Sequence, residues 1–351
     1  MSEVENNWEK RPAEVAFRSI TKRFPPDILA NDRVSFEVKK GTVHALLGEN
    51  GAGKTTLMNI LYGLFSPDEG EIIIRGKSVK ISSPREAINL GIGMIHQHFK
   101  LIPTHAVAEN IVLGLTSIPF FFPAEKAEAE IKSLSEKYGL KVDPRAHVWQ
   151  LSAGEKQKVE ILKALYRKAN ILILDEPTSV LTPQEAEELF ATLRAMKEEG
   201  KTCIFITHKL NEVKEIADAV TVMRKGKVVS TILPSQVSLE ELARMTVGKE
   251  VISVVPRKTI SDKIVLRLQD VSAMGDRDFP ALLNLSLSVR EGEIVGVAGI
   301  AGNGQKELAE VIVGLRQASR GHIFLEDKEI TNLLPRDIAS LGVAYIPEER
   351  N

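Results

Sequence analysis

The chain repeats itself. Gly48-Glu49-Asn50-Gly51-Ala52-Gly53-Lys54 is followed 251 positions later by Gly299-Ile300-Ala301-Gly302-Asn303-Gly304-Gln305. The same offset pairs Gly41 with Gly292, Gly63-Leu64 with Gly314-Leu315, Gly70 with Gly321, Pro84-Arg85 with Pro335-Arg336 and Leu90-Gly91 with Leu341-Gly342. A gap-free repeat of that period demands two copies of one folding unit, and 351 residues already exceed a single average domain. The second copy runs only to Asn351, which the offset sets against Lys100, so it covers less than half a unit.

Apolar runs at Val34–Val38, Thr42–Leu47, Glu71–Arg75, Ile171–Leu174, Thr202–Thr207 and Ala219–Arg224 read as strands. Helical patterns lie between them, the alternation of an α/β fold with a mainly parallel sheet. Thr182-Pro183-Gln184-Glu185 is a capping box with proline at the first helical position. Apolar Ala186, Leu189, Phe190, Leu193 and Met196 follow at helical spacing, and Gly200 ends the run. Ser83-Pro84-Arg85-Glu86 opens a shorter helix that stops near Gly91. From Phe99 to Gln150 the pattern is helical without strands, an expected all-α insert, and Gly248–Asp262, with Pro256 and mixed charges, reads as a linker.

Charge and composition exclude several functions. Lys plus Arg number 46 against 47 Asp plus Glu, and aromatics make up 5%, so neither a basic field nor a base-stacking surface is present; no nucleic-acid partner is expected. No stretch approaches the roughly 18 apolar residues of a membrane span, and the start lacks the basic and apolar regions of a signal peptide. Any membrane work is expected to come from a partner. Cys203, within Thr202–Ile206, reads as a small core residue, and a single cysteine fits a reducing, cytosolic setting.

Gly48-Glu49-Asn50-Gly51-Ala52-Gly53-Lys54-Thr55 matches the phosphate-loop pattern, follows an apolar strand and opens the helical run Lys54–Leu64. Gly51 and Gly53 allow the backbone to curl so that successive N–H groups face phosphate oxygens at a helix start. Lys54 adds a point charge for the β and γ phosphates, and Thr55 offers a hydroxyl to Mg²⁺. The strand Ile171-Leu172-Ile173-Leu174 ends in Asp175-Glu176, where an α/β sheet places ligands. Asp175 suits the Mg²⁺ sphere, and Glu176 is placed to polarise an attacking water; acids that merely end a strand at solvent are the bland alternative. Ser152-Ala153-Gly154-Glu155 is a second capping box, opening the helix Lys156–Arg167.

This last motif, lying after a phosphate loop and just before the acidic strand, resembles the signature of the ATP-binding cassette (ABC) ATPases. Gln97, in Met94-Ile95-His96-Gln97-His98-Phe99, is similar to the family's Q-loop glutamine. Ser179-Val180-Leu181-Thr182 resembles a variant D-loop, His208 the switch histidine, and Phe24 the aromatic that stacks on adenine. The resemblance covers roughly residues 13–250 and implies the P-loop ABC ATPase fold: a mainly parallel sheet, an antiparallel β region and an α-helical subdomain near 99–160. It divides the chain into an ATPase domain at 13–248, a linker at 249–262 and a partial, degenerate copy at 263–351.

The resemblance further implies that Phe24, Gly48, Asn50, Gly51, Ala52, Gly53, Lys54, Thr55 and Thr56 contact ATP. Mg²⁺ would meet Thr55, Gln97 and Asp175, and hydrolysis would run through Glu176, His208 and Gln97. Ser152, Ala153, Gly154 and Glu155 would close over nucleotide held by another cassette, supplied in the same chain or by dimerisation. Because that second signature lies past Asn351, the ATPase of this sequence is expected to be weak and to depend on two chains pairing. In the second copy Gln305 replaces the lysine and Lys306 the threonine, so that site is expected to handle ATP poorly.

Tandem cassettes with Gly302-Asn303-Gly304-Gln305 and Tyr345-Ile346-Pro347-Glu348-Glu349-Arg350 resemble the ATPase subunits of simple-sugar and nucleoside importers, and His96–Pro103 is nearest the nucleoside branch. The implied partners are membrane permease subunits and an extracytoplasmic solute-binding protein, with the chain peripheral at the cytoplasmic face of the membrane. The alternatives are a soluble tandem ATPase acting on ribosomes or DNA, and a non-hydrolytic nucleotide-binding remnant. His96 and His98 stand at strand spacing without an evident third ligand, which favours loop packing over a metal. Ile118–Pro123 reads as the interior of the helical insert or an exposed contact for a membrane partner, and Glu348 replaces the first copy's glutamine.

Overall fold

The computed structural model describes residues 8, 10–97, 99–115, 124–248, 261–275, 279–299 and 303–347. His98, the run Ile118–Pro123, Ala301, Gly302, Glu348 and most of the proposed linker lie outside the described residues. The chain forms two compact units, Met1–Ile252 and Ser253–Asn351.

In the first unit, β1 (Ala13–Phe24), β2 (Ile28–Lys39), β4 (Glu69–Ile74) and β5 (Lys77–Val79) form an antiparallel sheet in the order β2-β1-β4-β5. The second sheet has β3 (Val43–Leu47), β6 (Ile92–Ile95), β7 (Ile171–Asp175), β8 (Thr202–Thr207), β9 (Ala219–Arg224) and β10 (Lys227–Ile232) in the order β10-β9-β3-β8-β7-β6. It is parallel except for the β9–β10 hairpin. Every residue of β3, β7 and β8 is buried, which is why these strands read as unbroken apolar runs rather than alternating ones. Helix α1 (Lys54–Leu61) lies between the sheets and packs Leu57, Met58, Ile60 and Leu61 into one core with Val15, Phe17 and Ile204. After the short helix α2 (Pro84–Asn89), α3 (Val107–Val112), α4 (Ala124–Tyr138) and α5 (Ala153–Tyr166) make up a helical region. Its buried residues Ile111, Ile131 and Leu162 share a core with Leu172 and Phe205 on the other face of the sheet. Helices α6 (Pro183–Glu198), α7 (Leu210–Ile216) and α8 (Leu239–Val247) complete the unit. Among the described residues no helix is long and apolar enough to cross a membrane.

The second unit contains β11 (Ile264–Met274), β12 (Pro280–Arg290), β13 (Arg320–Leu325) and β14 (Lys328–Glu329) as an antiparallel sheet in the order β12-β11-β13-β14, with helices α9 (Gln305–Ile312) and α10 (Pro335–Ser340). The repeat extends to backbone strain. Ser19, Arg33 and Arg75 have φ of 51°, 49° and 50°, and Asp270, Asn284 and Glu326, at the same offset, have 48°, 48° and 53°. One difference stands out. Residues 293–299 and 343–347, the counterparts of β3 and β6, form no strand, and Ile294 and Ile346 are 98% and 91% exposed. In the first unit β3 bonds to β8 and β9, and β6 to β7.

One buried group ties this fold to pH. His44 on β3 is fully buried, bonds Thr221 Oγ1 through Nε2 at 2.8 Å, stacks on Phe36 and has no partner for Nδ1. Burial depresses its pKa from 6.5 to about 3. The unfolded chain therefore binds the extra proton first as pH falls. The stability from a neutral His44 is whole above pH 6.5 and drains away toward about 3. At pH 4 this group alone is expected to remove about 3 kcal/mol. Urea unfolding at pH 7 and 4 checks this: the wild type should lose more stability than His44→Gln between the two, and equal losses would refute it.

Candidate functional site

The loop between β3 and α1 is held from three sides. A Cβ on Gly48 would stand 2.4 Å from the Met223 carbonyl of β9, so only glycine lets the loop leave the sheet there. The β9–β10 turn bonds it through Gly226 N–H to the Ala52 carbonyl at 3.2 Å, and Asp32 N–H of β2 donates to Gly226 at 2.9 Å. Gly53 caps α1 with φ 93°, where side chains are disfavoured. Lys54, 5% exposed, donates its ammonium to the carbonyls of Gly48 at 2.8 Å and Glu49 at 2.9 Å, so the curled loop is preformed. Burial lowers the Lys54 pKa, and the carboxylates of Glu176 and Asp175 oppose that shift. Asn50, Gly51 and Thr55 are exposed, Thr56 half-buried and Ala52 buried.

Beside the loop, Thr55 Oγ1 donates to Asp175 Oδ1 at 3.3 Å. Asp175 is 3% exposed, and burial raises its pKa, with the neighbouring Glu176 adding to the effect. The Thr55 hydrogen bond and the Lys54 charge oppose that rise. Glu176 follows at φ 47°, a strained conformation held by its N–H on the Ile206 carbonyl at 3.1 Å. Its two oxygens face two side chains from other loops: Gln97 Nε2 donates to Oε2 at 3.1 Å, and His208 Nδ1 lies 3.0 Å from Oε1. Strands β6, β7 and β8, neighbours in the parallel sheet, deliver these three residues from their carboxyl ends.

A layer beneath was missed by the sequence reading. Glu212 on α7, 8% exposed, accepts from Thr178 Oγ1 at 2.6 Å and Thr207 Oγ1 at 2.7 Å, and Lys209 reaches both Glu212 and Thr178. One carboxylate thus ties the turn after Glu176 to the turn before His208. Nothing in the spacing of Glu212 marks it as buried, because both partners come from other elements.

The remaining predicted positions lie elsewhere. Ser152 and Glu155 make reciprocal capping bonds at the start of α5, and a Cβ on Gly154 would collide with Glu185 at 2.1 Å. Among the described residues they contribute no hydrogen bond to the Glu176 cluster. Phe24 meets Phe65 edge-on at 5.2 Å between centroids, with Lys22 over its ring. Ser179 N–H returns to the Glu176 carbonyl, and Thr182 caps α6. His96 packs edge-on against Tyr62, and no group of three His, Cys, Asp or Glu able to hold a metal occurs among the described residues. Cys203 is buried, its thiol pushed up to about 12 by burial. In the second unit, Gln305 folds over Gly299 where Lys54 reaches Gly48.

The chain is similar to a glucose import ATP-binding protein of Haloferax volcanii, at 47% identity over 95% of this chain and 66% of that protein. It is 48% identical, with the same coverage, to a nucleoside import ATP-binding protein of Lactococcus lactis and to a guanosine import ATP-binding protein of Bacillus subtilis. It spans just under two thirds, 66%, of the length of these relatives. Among solved structures it resembles an ATP-binding cassette of an ABC transporter in its ADP conformation, with TM-score 0.59 and 26% identity, covering 69% of this chain and 97% of that one. A nucleotide-free cassette, at 24% identity and TM-score 0.58, shares the fold. The family model described as ABC transporter matches residues 31–179 and 282–351. These stretches start 251 positions apart, the period of the repeat, and each contains a glycine loop. With the sheet order and the loop geometry already in place, that double match makes the chain a member of the ABC transporter family.

Proposed function

We propose that this chain is the ATP-binding subunit of an importer for nucleosides or simple sugars, coupling ATP hydrolysis to a separate membrane permease. Residues 13–248 act as the ATPase domain, with a helical subdomain near 99–160, and 263–351 form a partial, degenerate second cassette. The observation that carries the reading is the convergence of Gln97 and His208 on the two oxygens of Glu176, beside a loop already curled around Lys54. The import role and the substrate class rest on the names of the relatives.

In this reading the free N–H groups of the loop and the start of α1 bind the phosphates, and Lys54 exchanges its loop carbonyls for phosphate oxygens. Glu176 accepts a proton from the attacking water. Gln97 and His208 fix its orientation, so the acceptor is aimed before substrate arrives. The buried Asp175 and the Thr55 hydroxyl are hard oxygen donors that fit Mg²⁺, with Gln97 as a third. When bound, that ion supplies charge neutralisation on the terminal phosphates. Phe24 takes the adenine face, and Ser152–Glu155 serve nucleotide held by another cassette. The chain works at the cytoplasmic face of the membrane, with a solute-binding protein on the far side choosing the cargo.

Titration calorimetry with ATP and Mg²⁺ tests the core of this reading. Saturable uptake approaching one ATP per chain is expected, since only the first loop keeps its lysine; no uptake would overturn it.

A further inference from the structure

Asn31 of β2 lies directly under the phosphate loop and is fully buried. Its Nδ2 donates to the Gly53 carbonyl at 3.1 Å, while its Oδ1 is buried with no partner. That carbonyl already accepts the first helical bond, from Leu57 N–H at 3.0 Å. A buried carboxamide with an unpaired oxygen costs stability, so its presence needs a reason outside the fold.

The second unit shows what the fold itself requires. There the same position is Leu282, 4% exposed and part of an apolar core. The loop glycine above it, Gly304, has φ 91° and ψ 5°, against 93° and 5° for Gly53. In both units the backbone carbonyl below would meet a Cβ on that glycine: Ala30 O at 2.2 Å and Ala281 O at 2.5 Å. Leucine therefore supports the same backbone angles at that glycine. Asparagine stands in the copy that keeps Lys54 and Thr55, and leucine in the copy that carries Gln305 and Lys306.

We propose that Asn31 is a positioning residue for nucleotide binding that acts through the Gly53–Lys54 peptide: its amide donates to the Gly53 carbonyl and so strengthens the Lys54 N–H as a donor toward the phosphate cradle. In a planar trans peptide the carbonyl and the following N–H point in opposite directions. With the Gly53 oxygen turned toward Asn31, the Lys54 N–H points away from β2, on the open side of the loop. The bond also polarises the peptide and makes that N–H a stronger donor toward an anion. This rests on the reading that the loop holds ATP.

Two variants separate this role from a structural one, with ATP titration, steady-state ATPase and thermal unfolding measured on each. Asn31→Leu copies the second unit and removes the orphaned oxygen; Asn31→Asp keeps the shape but has no donor. Both are expected to weaken ATP binding about 3- to 10-fold, as a KM increase with turnover at saturating ATP held within about twofold. The melting temperature should stay level or rise for Asn31→Leu and fall for Asn31→Asp. Wild-type affinity in Asn31→Leu would overturn the proposal, as would affinity that simply follows melting temperature across the pair. If the wild type itself takes up no ATP, the nucleotide reading falls and this proposal with it.

Discussion

Glu176→Gln is expected to cut ATP turnover by at least about 10²-fold while leaving ATP binding intact. Glutamine matches the carboxylate in shape but cannot accept a proton, so the change removes one chemical step and little else. The surroundings support that separation. Glu176 is held in place by its backbone bond to Ile206, which does not involve the side chain, and Gln97 can turn its own amide oxygen toward the new NH2 group. The Lys54 loop is closed by its own carbonyls. Single-turnover hydrolysis and ATP titration on the same preparation check the result, and unchanged turnover would remove Glu176 from its assigned role.

Lys54→Ala is expected to weaken ATP binding by about 10- to 10²-fold, the worth of a charge-assisted contact made in a partly dry site. The loop should survive the change, because Gly304 keeps the same backbone angles as Gly53 above a position where glutamine has replaced the lysine. A melting temperature near that of the wild type, with ATP uptake lost or greatly weakened in calorimetry, is the expected pair of results. Uptake unaffected by the substitution would mean that the glycine loop is not where the nucleotide sits.

The parts of this fold that were legible from sequence are those written locally. The N-cap hydroxyls of Ser83, Ser152 and Thr182 each start a helix, and at Ser152 and Thr182 the glutamate three residues on completes a capping box. The fully buried strands β3, β7 and β8 show as apolar runs. β1 was not seen, because register shifts between Phe17 and Lys22, and Ser19 at φ 51°, break its alternation. β6 was missed as well, being four residues long and containing Gly93. At the site, motif order pointed to Lys54, Asp175, Glu176, Gln97 and His208. Glu212 and Asn31 were invisible, since what sets them apart is a partner from a distant element rather than a neighbour in the chain.

The strained backbone at Glu176 makes demands on its surroundings. A left-handed conformation at a non-glycine residue persists only where its surroundings insist on it, and here they include Ile206 and the Thr178–Glu212–Thr207 clasp. The demand therefore reaches a stratum below the reacting groups, made of two hydroxyls and a carboxylate. A substitution at Thr178, Thr207 or Glu212 would therefore disturb the aim of Glu176 without touching the phosphate loop.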